Sequence, residues 1–180
     1  LQVLAFSLLA THPGLAAEPA TRVQLIELLA EASGTAGMAG GQALDLAAMG
    51  RRLSLQEVEL VHRLKTGALI RGCVRMAAAC SPNLTAAEHA ALDRVGSLVG
   101  LAFQIQDDIL DVEGDTALLG KATGGDRARD KPTYPAVAGI DAARRRVAEL
   151  HDSAHTLLGE CGWSESTLAA LCGWLLARRH

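Results

Sequence analysis

The longest helical pattern in the chain spans residues 85–112, which read TAAEHAALDRVGSLVGLAFQIQDDILDV. Thr85, the first of these residues, predicts the start of the helix, because a threonine hydroxyl can accept a hydrogen bond from a backbone amide in the first turn. At the usual rise per residue, a helix of this span is about 40 Å long. A helix of that length, with an apolar stripe, favours a bundle of packed helices.

The rest of the chain shows the same periodicity. It predicts helices over residues 1–12, 20–33, 42–49, 54–80, 133–139, 141–160 and 164–178. Ser54 and Glu57 have the spacing of a capping box at the start of one of them. Residues 34–41 are rich in glycine and are expected to lie outside a helix, and residues 114–132 are expected to form a long, functional loop. With no strand signal, repeat or linker, residues 1–180 are predicted to form a single all-α domain.

Composition excludes several classes of protein. Apolar residues make up 49% of the 180, which is too many for an intrinsically disordered chain. A net charge of −3 and an aromatic content of 3% argue against nucleic-acid binding. No run of apolar residues is long enough for stable membrane insertion.

Cysteine usage and the first residues bear on the compartment. Four cysteines without a CxxC pair indicate a reduced, cytoplasmic protein, and Cys73 and Cys80 are expected to be buried. The apolar run over residues 1–10 has no basic residue before it and is not interpreted as a secretory signal. Because the sequence opens within this run, we expect the chain to be truncated.

The carboxylates in the second half of the long helix carry the clearest chemical signal. Asp107 and Asp111 are four residues apart and therefore project from one helical face, and Gln104 shares that face. Asp108 stands about 100° away around the helix. Because like charges at this spacing are mildly destabilising, the pair suggests a cation such as Mg²⁺, which prefers oxygen ligands. On spacing alone, a solvated acidic helix end remains an equal alternative.

Three further features favour a site for a polyanion. Lys121 and Lys131 lie in the predicted loop, separated by glycines. Residues 65–67, Lys-Thr-Gly, place a glycine inside a helix, where it costs about 1 kcal/mol relative to alanine, and so suggest a local break. Gln42 and Asp45 lie one turn apart, directly after a pair of glycines.

Four segments of this sequence resemble the trans-isoprenyl diphosphate synthases, most closely the bacterial farnesyl and geranylgeranyl diphosphate synthases. They are GMAGGQALDL (37–46), HRLKTGALIR (62–71), FQIQDDILDVEGD (103–115) and LLGKATGGDRARDKPTYPA (118–136). The resemblance implies an isoprenoid-synthase-type helical bundle. It also implies a prenyltransferase that condenses dimethylallyl or geranyl diphosphate with isopentenyl diphosphate to give farnesyl diphosphate or a similar short-chain product.

The same resemblance implies roles for individual residues. Asp107 and Asp111 would hold Mg²⁺, or Mn²⁺, on the allylic diphosphate, and Asp108 would be a less direct third member of the metal site. The implied catalytic residues are Asp107, Lys65 and Lys121. The implied substrate-binding residues are Lys65, Thr66, Gln104, Lys121, Lys131, Gln42 and Asp45.

One departure from the family is large. The family has a first aspartate-rich motif followed by paired arginines, and the DDxxD at residues 107–111 is the only such motif in this sequence. We therefore expect the chain to be the C-terminal part of a synthase domain, without its N-terminal helices and inactive alone. The resemblance also implies a homodimer, for which residues 1–12 and 20–33 offer an apolar interface.

Two other functions compete with this interpretation. The chain could belong to a non-catalytic partner subunit of a prenyl synthase, although the intact DDxxD argues against that. It could also be a di-metal carboxylate bundle, since Glu59 and His62 form a Glu-x-x-His motif and Asp152 and His155 a degenerate copy. The degenerate copy and the cations beside the first motif make this alternative remote, and both histidines are expected to lie on the surface.

Overall fold

The computed structural model describes residues 1–15, 18–113 and 132–177, with side chains described as far as Leu175. Within these ranges the chain is helical and contains no β-strand, so the predicted all-α fold is confirmed. A π-helical turn, Arg63–Gly67, joins α4 to α5. The helices are α1 (Gln2–Thr11), α2 (Pro19–Ser33), α3 (Met38–Ala47), α4 (Leu55–His62), α5 (Ala68–Ala79), α6 (Ala86–Glu113), α7 (Tyr134–Ala138), α8 (Ile140–Glu160) and α9 (Thr167–Ala177).

The long helix α6 is the element around which the others pack. It contacts α5, α7, α8, α9 and the π turn, and it contributes to both hydrophobic core clusters. Each large apolar side chain that it buries stabilises the fold by about 1.5–3 kcal/mol. Burial of Leu101, Ala102, Ile105 and Ile109 along one stripe fixes the rotation of α6 and therefore which of its aspartates face outward.

Capping residues set two of the helix starts where the sequence predicts them. At Ser54, the hydroxyl accepts from the backbone N–H of Glu57, and the Glu57 carboxylate accepts from the backbone N–H of Ser54. Thr85 and Glu88 repeat the same reciprocal pair ahead of α6. Each box satisfies backbone donors that the first turn leaves without a helical partner.

Glycines allow α6 to approach its neighbours closely. Gly96 and Gly100, four residues apart, face α5 and the π turn. A Cβ atom on Gly100 would lie 2.7 Å from Cα of Gly67, and one on Gly96 would lie 2.9 Å from Cα of Arg71. The two glycines therefore serve close helix packing, and a larger residue at either position would have to push backbone aside.

The start of α3 differs from the sequence prediction. The helix begins at Met38, so Gly40 and Gly41 lie inside it rather than in a preceding loop. A Cβ atom on Gly41 would lie 2.6 Å from Cα of Lys65, so this position must be glycine for α3 to reach the π turn. The intrinsic penalty for glycine in a helix predicts a loop here, but the tertiary contact outweighs it.

Several apolar side chains remain on the surface of the described chain. α1 has no buried residue, and Val3 and Leu4 on it, like Leu1 just before it, are exposed. Cys73, on α5, and Cys80, directly after it, are also exposed, which corrects the expectation that they are buried, because the described helices leave these side chains uncovered. In the part of the chain that the structure describes, no helix is both long and apolar enough to cross a membrane.

Candidate active site

The two predicted metal-binding carboxylates, Asp107 and Asp111, lie on a side of α6 that is not buried in the core. Asp107 is exposed and Asp111 is half-buried, and their spacing places them one turn apart on the same side of the helix. Ile105 and Ile109 are buried in the core, which holds that side of the helix outward. Two carboxylates placed in this way could bind one cation together.

Asp108, about 100° around the helix from Asp107, faces the interior and is 2% exposed. Its Oδ2 atom accepts from the backbone N–H of Tyr134 at 2.8 Å and lies 2.9 Å from Nε2 of His62. Its Oδ1 atom accepts from Nε2 of Gln104 at 3.3 Å. This geometry argues against the metal contact expected of Asp108, because a metal ion would have to displace protein donors inside the fold. Its carboxylate instead ties α6 to α4 and α7.

Gln104 and Thr66 meet across the junction of α6 and the π turn. The Thr66 hydroxyl donates to Oε1 of Gln104 at 2.6 Å, and both side chains are half-buried. The sequence predicts that both belong to the substrate site, and the structure brings them into direct contact. A π turn displaces the register of a helix locally, and such turns recur at functional sites.

Lys65, the neighbour of Thr66 in the π turn, is held by α3. Its Nζ atom lies 2.6 Å from Oδ2 of Asp45, and the exposed fractions of the two side chains are 31% and 15%. Gln42, one turn before Asp45 on α3, is exposed. The predicted Lys65 and Asp45 therefore form one ion pair, at the contact where Gly41 lets α3 approach the π turn.

Two predicted residues cannot be placed in the same way. Lys121 and Lys131 fall between residues 114 and 131, which lie outside the described residues. Their expected contacts with a diphosphate therefore stay predictions.

His62 contacts the candidate site residue Asp108, a contact that the sequence does not predict. The sequence predicts His62 on the surface, but it is 7% exposed and its Nε2 lies 2.9 Å from Oδ2 of Asp108. The signal that could have found it is the spacing Val58, Val61, His62, in which all three residues are buried. Since an i, i+4 pair shares a helical face, His62 follows Val58 into the core.

The di-metal alternative loses its ligands to other partners. His62 is engaged by Asp108, and the carboxylate of Glu59 pairs with Arg63 at 2.8 Å and with Arg146 at 3.3 Å. His155 is exposed, as expected. Across residues 1–15, 18–113 and 132–175, no cluster of three or more histidine, cysteine, aspartate or glutamate side chains could hold a metal ion.

The surroundings of Tyr134, the first residue of α7, indicate a structural role for this residue. The ring of Tyr134 is buried, and burial raises the pKa of its phenol, with the charge of Glu59 as the second cause. The phenol therefore stays neutral over the physiological range and donates a hydrogen bond to Glu59, while the backbone N–H of Tyr134 donates to Asp108.

The donor set at Asp107 and Asp111 fits Mg²⁺ bound together with a phosphate. Mg²⁺ commonly takes one or two protein carboxylates and fills its other positions with water and phosphate oxygens. Two carboxylates on one side of a single helix suit that mode. A cage of protein ligands alone would need more carboxylates than the described chain brings together.

Comparison with known protein families and structures bears on these residues. A family model described as polyprenyl synthetase matches residues 1–157. The farnesyl diphosphate synthase of Escherichia coli K12 is 45% identical to this chain over 181 residues, covering 99% of the chain and 60% of that protein. That of Haemophilus influenzae is 39% identical over 180 residues, with the same coverage of both.

Solved structures give the same result for the fold. The geranyltransferase of Helicobacter pylori, complexed with magnesium and isoprenyl diphosphate, matches with a TM-score of 0.85 at 28% identity, covering 98% of this chain and 58% of that one. An FPP/GFPP synthase of Zymomonas mobilis matches with a TM-score of 0.81 at 32% identity, covering 97% and 57%. The chain thus spans about 60% of the length of the relatives that it matches.

Proposed function

This chain belongs to the polyprenyl synthetase family, and from that membership we propose that the protein carrying it is a short-chain prenyltransferase. It condenses dimethylallyl or geranyl diphosphate with isopentenyl diphosphate to form farnesyl diphosphate or a product of similar length. The observation that carries the proposal is the pair of carboxylates on one side of α6, Asp107 and Asp111. The same helix carries Gln104, which accepts a hydrogen bond from Thr66. The identity of 45% to a farnesyl diphosphate synthase across 99% of this chain supports it.

In the proposed reaction, this chain binds the allylic diphosphate and helps it to leave. Asp107 and Asp111 hold Mg²⁺, which when bound neutralises negative charge on the diphosphate. The ammonium of Lys65 adds a positive charge as the carbon–oxygen bond breaks and charge builds on the leaving group. Lys121 and Lys131 are proposed to act on the same diphosphate. Thr66, Gln104, Gln42 and Asp45 line the site around it.

The allylic cation that results is attacked by the double bond of isopentenyl diphosphate. The new carbon–carbon bond leaves positive charge on the product, and loss of a proton to the released diphosphate restores a neutral alkene. No side chain of this chain is required as a general base. At this step the chain excludes water from the cation, because helices rich in alanine and leucine provide apolar walls.

Residues beyond this chain are part of the proposal. The chain spans about 60% of its relatives and has a single DDxxD motif, so we propose that the homoallylic diphosphate and part of the metal site depend on residues outside it. The 180-residue chain is then inactive by itself. The apolar surface of α1 and α2 is proposed to lie in a homodimer, and four unpaired cysteines are consistent with the cytoplasm.

The test is condensation by the full-length protein that carries this chain. Purified protein is incubated with Mg²⁺, geranyl diphosphate and radiolabelled isopentenyl diphosphate, and the products are separated by chain length. Radiolabelled farnesyl diphosphate, absent when EDTA removes the metal, is the expected result. Absence of any Mg²⁺-dependent product would contradict the proposal and favour a non-catalytic partner subunit, which would then need its catalytic subunit to be added before turnover returned.

A further inference from the structure

We propose that His62 is a positioning residue of this site, which acts through Asp108 and Gln104 on the hydroxyl group of Thr66. The inference rests on the proposed function, since it concerns how the prenyltransferase site is held. His62 itself does not touch the substrate. It is one end of a chain of hydrogen bonds that crosses from α4 through α6 to the π turn.

The hydrogen-bond chain has one polarity. An ionised carboxylate can only accept hydrogen bonds, so Nε2 of His62 donates to Oδ2 of Asp108 across 2.9 Å. The other oxygen of Asp108 accepts from Nε2 of Gln104, which fixes the orientation of that amide. The amide oxygen of Gln104 is thereby turned to Thr66 and accepts from its hydroxyl at 2.6 Å.

The polarity has a consequence for Thr66. A hydroxyl group has one proton, and Thr66 donates it to Gln104. The oxygen of Thr66 is then left with lone pairs only, so towards anything else in the site it acts as an acceptor. In a reaction that builds positive charge on the allylic carbon, an oriented acceptor stabilises the transition state, whereas a hydroxyl free to rotate does so less well.

His62 can be replaced without leaving the buried carboxylate of Asp108 without a donor. Oδ2 of Asp108 accepts from both His62 and the backbone N–H of Tyr134. When His62 is replaced by leucine, Asp108 keeps the contact with Tyr134, so the carboxylate is still partly satisfied and the protein is expected to fold. What it loses is the second donor that fixes the plane of the carboxylate, and with it the orientation of Gln104.

The test is a double-mutant cycle between His62 and Thr66, which lie four residues apart along the helix and which this hydrogen-bond chain also joins across α6. In the full-length protein, His62→Leu is expected to lower kcat about tenfold, the scale of one hydrogen bond, while KM for isopentenyl diphosphate changes less than about twofold. His62→Gln, whose amide nitrogen can replace Nε2 as the donor, should restore kcat to within about threefold of wild type.

The cycle is completed in a Thr66→Val background. There, His62→Leu should lower kcat less than about twofold, because the group on which His62 acts is already gone. An equal loss in both backgrounds, or a loss in His62→Gln as large as in His62→Leu, would overturn the proposal and leave His62 a packing residue.

A separate measurement on the wild-type protein keeps the inference testable if the leucine variant does not fold. With ¹⁵N-labelled histidine, NMR should show a proton on Nε2 of His62 that exchanges slowly with water. An unprotonated Nε2 would overturn the proposed polarity whatever the kinetics. Absence of condensation by the wild-type protein would overturn the prenyltransferase function and the positioning role with it, while the NMR result would still decide whether the hydrogen-bond chain exists.

Discussion

Nζ of Lys65 lies 2.6 Å from Oδ2 of Asp45, so the ammonium proposed to bind the diphosphate is held by a carboxylate on α3. Both groups are partly exposed, so the pair itself adds little to stability. Its effect is to limit the positions that a long, flexible lysine side chain can take. The ion pair therefore connects the fold of α3 to the chemistry of the π turn.

We predict that Asp45→Asn lowers kcat/KM for geranyl diphosphate about tenfold, because Lys65 loses the charged partner that fixes it. The melting temperature should change little. Asp93→Asn is the matched control. Asp93 also forms an ion pair, with Arg71 at 2.7 and 2.9 Å, and that pair includes neither Lys65 nor Asp45. An Asp45→Asn variant that differs from wild type only as much as the control does would contradict the proposed role of the pair.

Asp108→Ala should act chiefly on stability. Removing this buried carboxylate leaves the backbone N–H of Tyr134 and the ring of His62 without their acceptor. An unsatisfied buried donor costs about 1–3 kcal/mol, so we expect a clear fall in the free energy of unfolding, measured by urea denaturation. Unchanged stability would mean that the hydrogen bonds of Asp108 do not hold α4, α6 and α7 together.

Gly41→Ala should destabilise the contact between α3 and the π turn. The new methyl group would lie 2.6 Å from Cα of Lys65, which is backbone and cannot move cheaply. We expect lower stability together with lower kcat, since Lys65 and Thr66 would both be displaced. Gly173→Ala in α9 is the control, because a Cβ atom there meets nothing within 4 Å. There, alanine should be neutral or stabilise the helix by up to about 1 kcal/mol, and a loss in the control as large as at Gly41 would show that close packing is not the cause.

The fold follows from the sequence wherever local signals decide it. The capping pairs at Ser54 and Thr85, and the apolar stripe of α6, fix the starts of α4 and α6 close to where the pattern predicts them. The start of α3 could not be predicted in this way. Glycine disfavours a helix locally, and only the contact between Gly41 and Lys65, 24 positions further along the chain, explains why one forms.

The site was predictable to the extent that it lies on one helix. The spacing of Asp107 and Asp111 predicts their common face directly. The roles of His62 and Asp108 could not be read from spacing, because their contact joins residues 46 positions apart. A Glu-x-x-His motif on a polar helix suggests a surface histidine, and the core position of His62 depends on how α4 packs against α6.

The capping box at the start of α4 should make a pH-dependent contribution to stability. The backbone and side-chain hydrogen bonds of Ser54 hold the pKa of Glu57 below its ordinary value. Because the pKa is lower in the folded state, this contribution is complete above the ordinary value and is lost as pH falls through the folded pKa. We expect the difference in melting temperature between wild type and Glu57→Gln to be largest near neutral pH and to shrink in acid. Glu27→Gln, at an exposed position in α2, should show a small difference at every pH, and a Glu57 difference that grows in acid would contradict the assignment.

The most direct test of the central claim is steady-state turnover by Asp107→Ala in the full-length protein, with Mg²⁺, geranyl diphosphate and radiolabelled isopentenyl diphosphate. Asp107 is exposed, so the variant should fold like wild type, while kcat should fall by at least about 10²-fold, the effect of losing one oriented charge-stabilising group. Asp152→Ala, at an exposed aspartate on α8, should leave turnover unchanged. Turnover by Asp107→Ala equal to that of wild type and of this control would contradict the assignment of α6 as the metal-binding helix of a prenyltransferase.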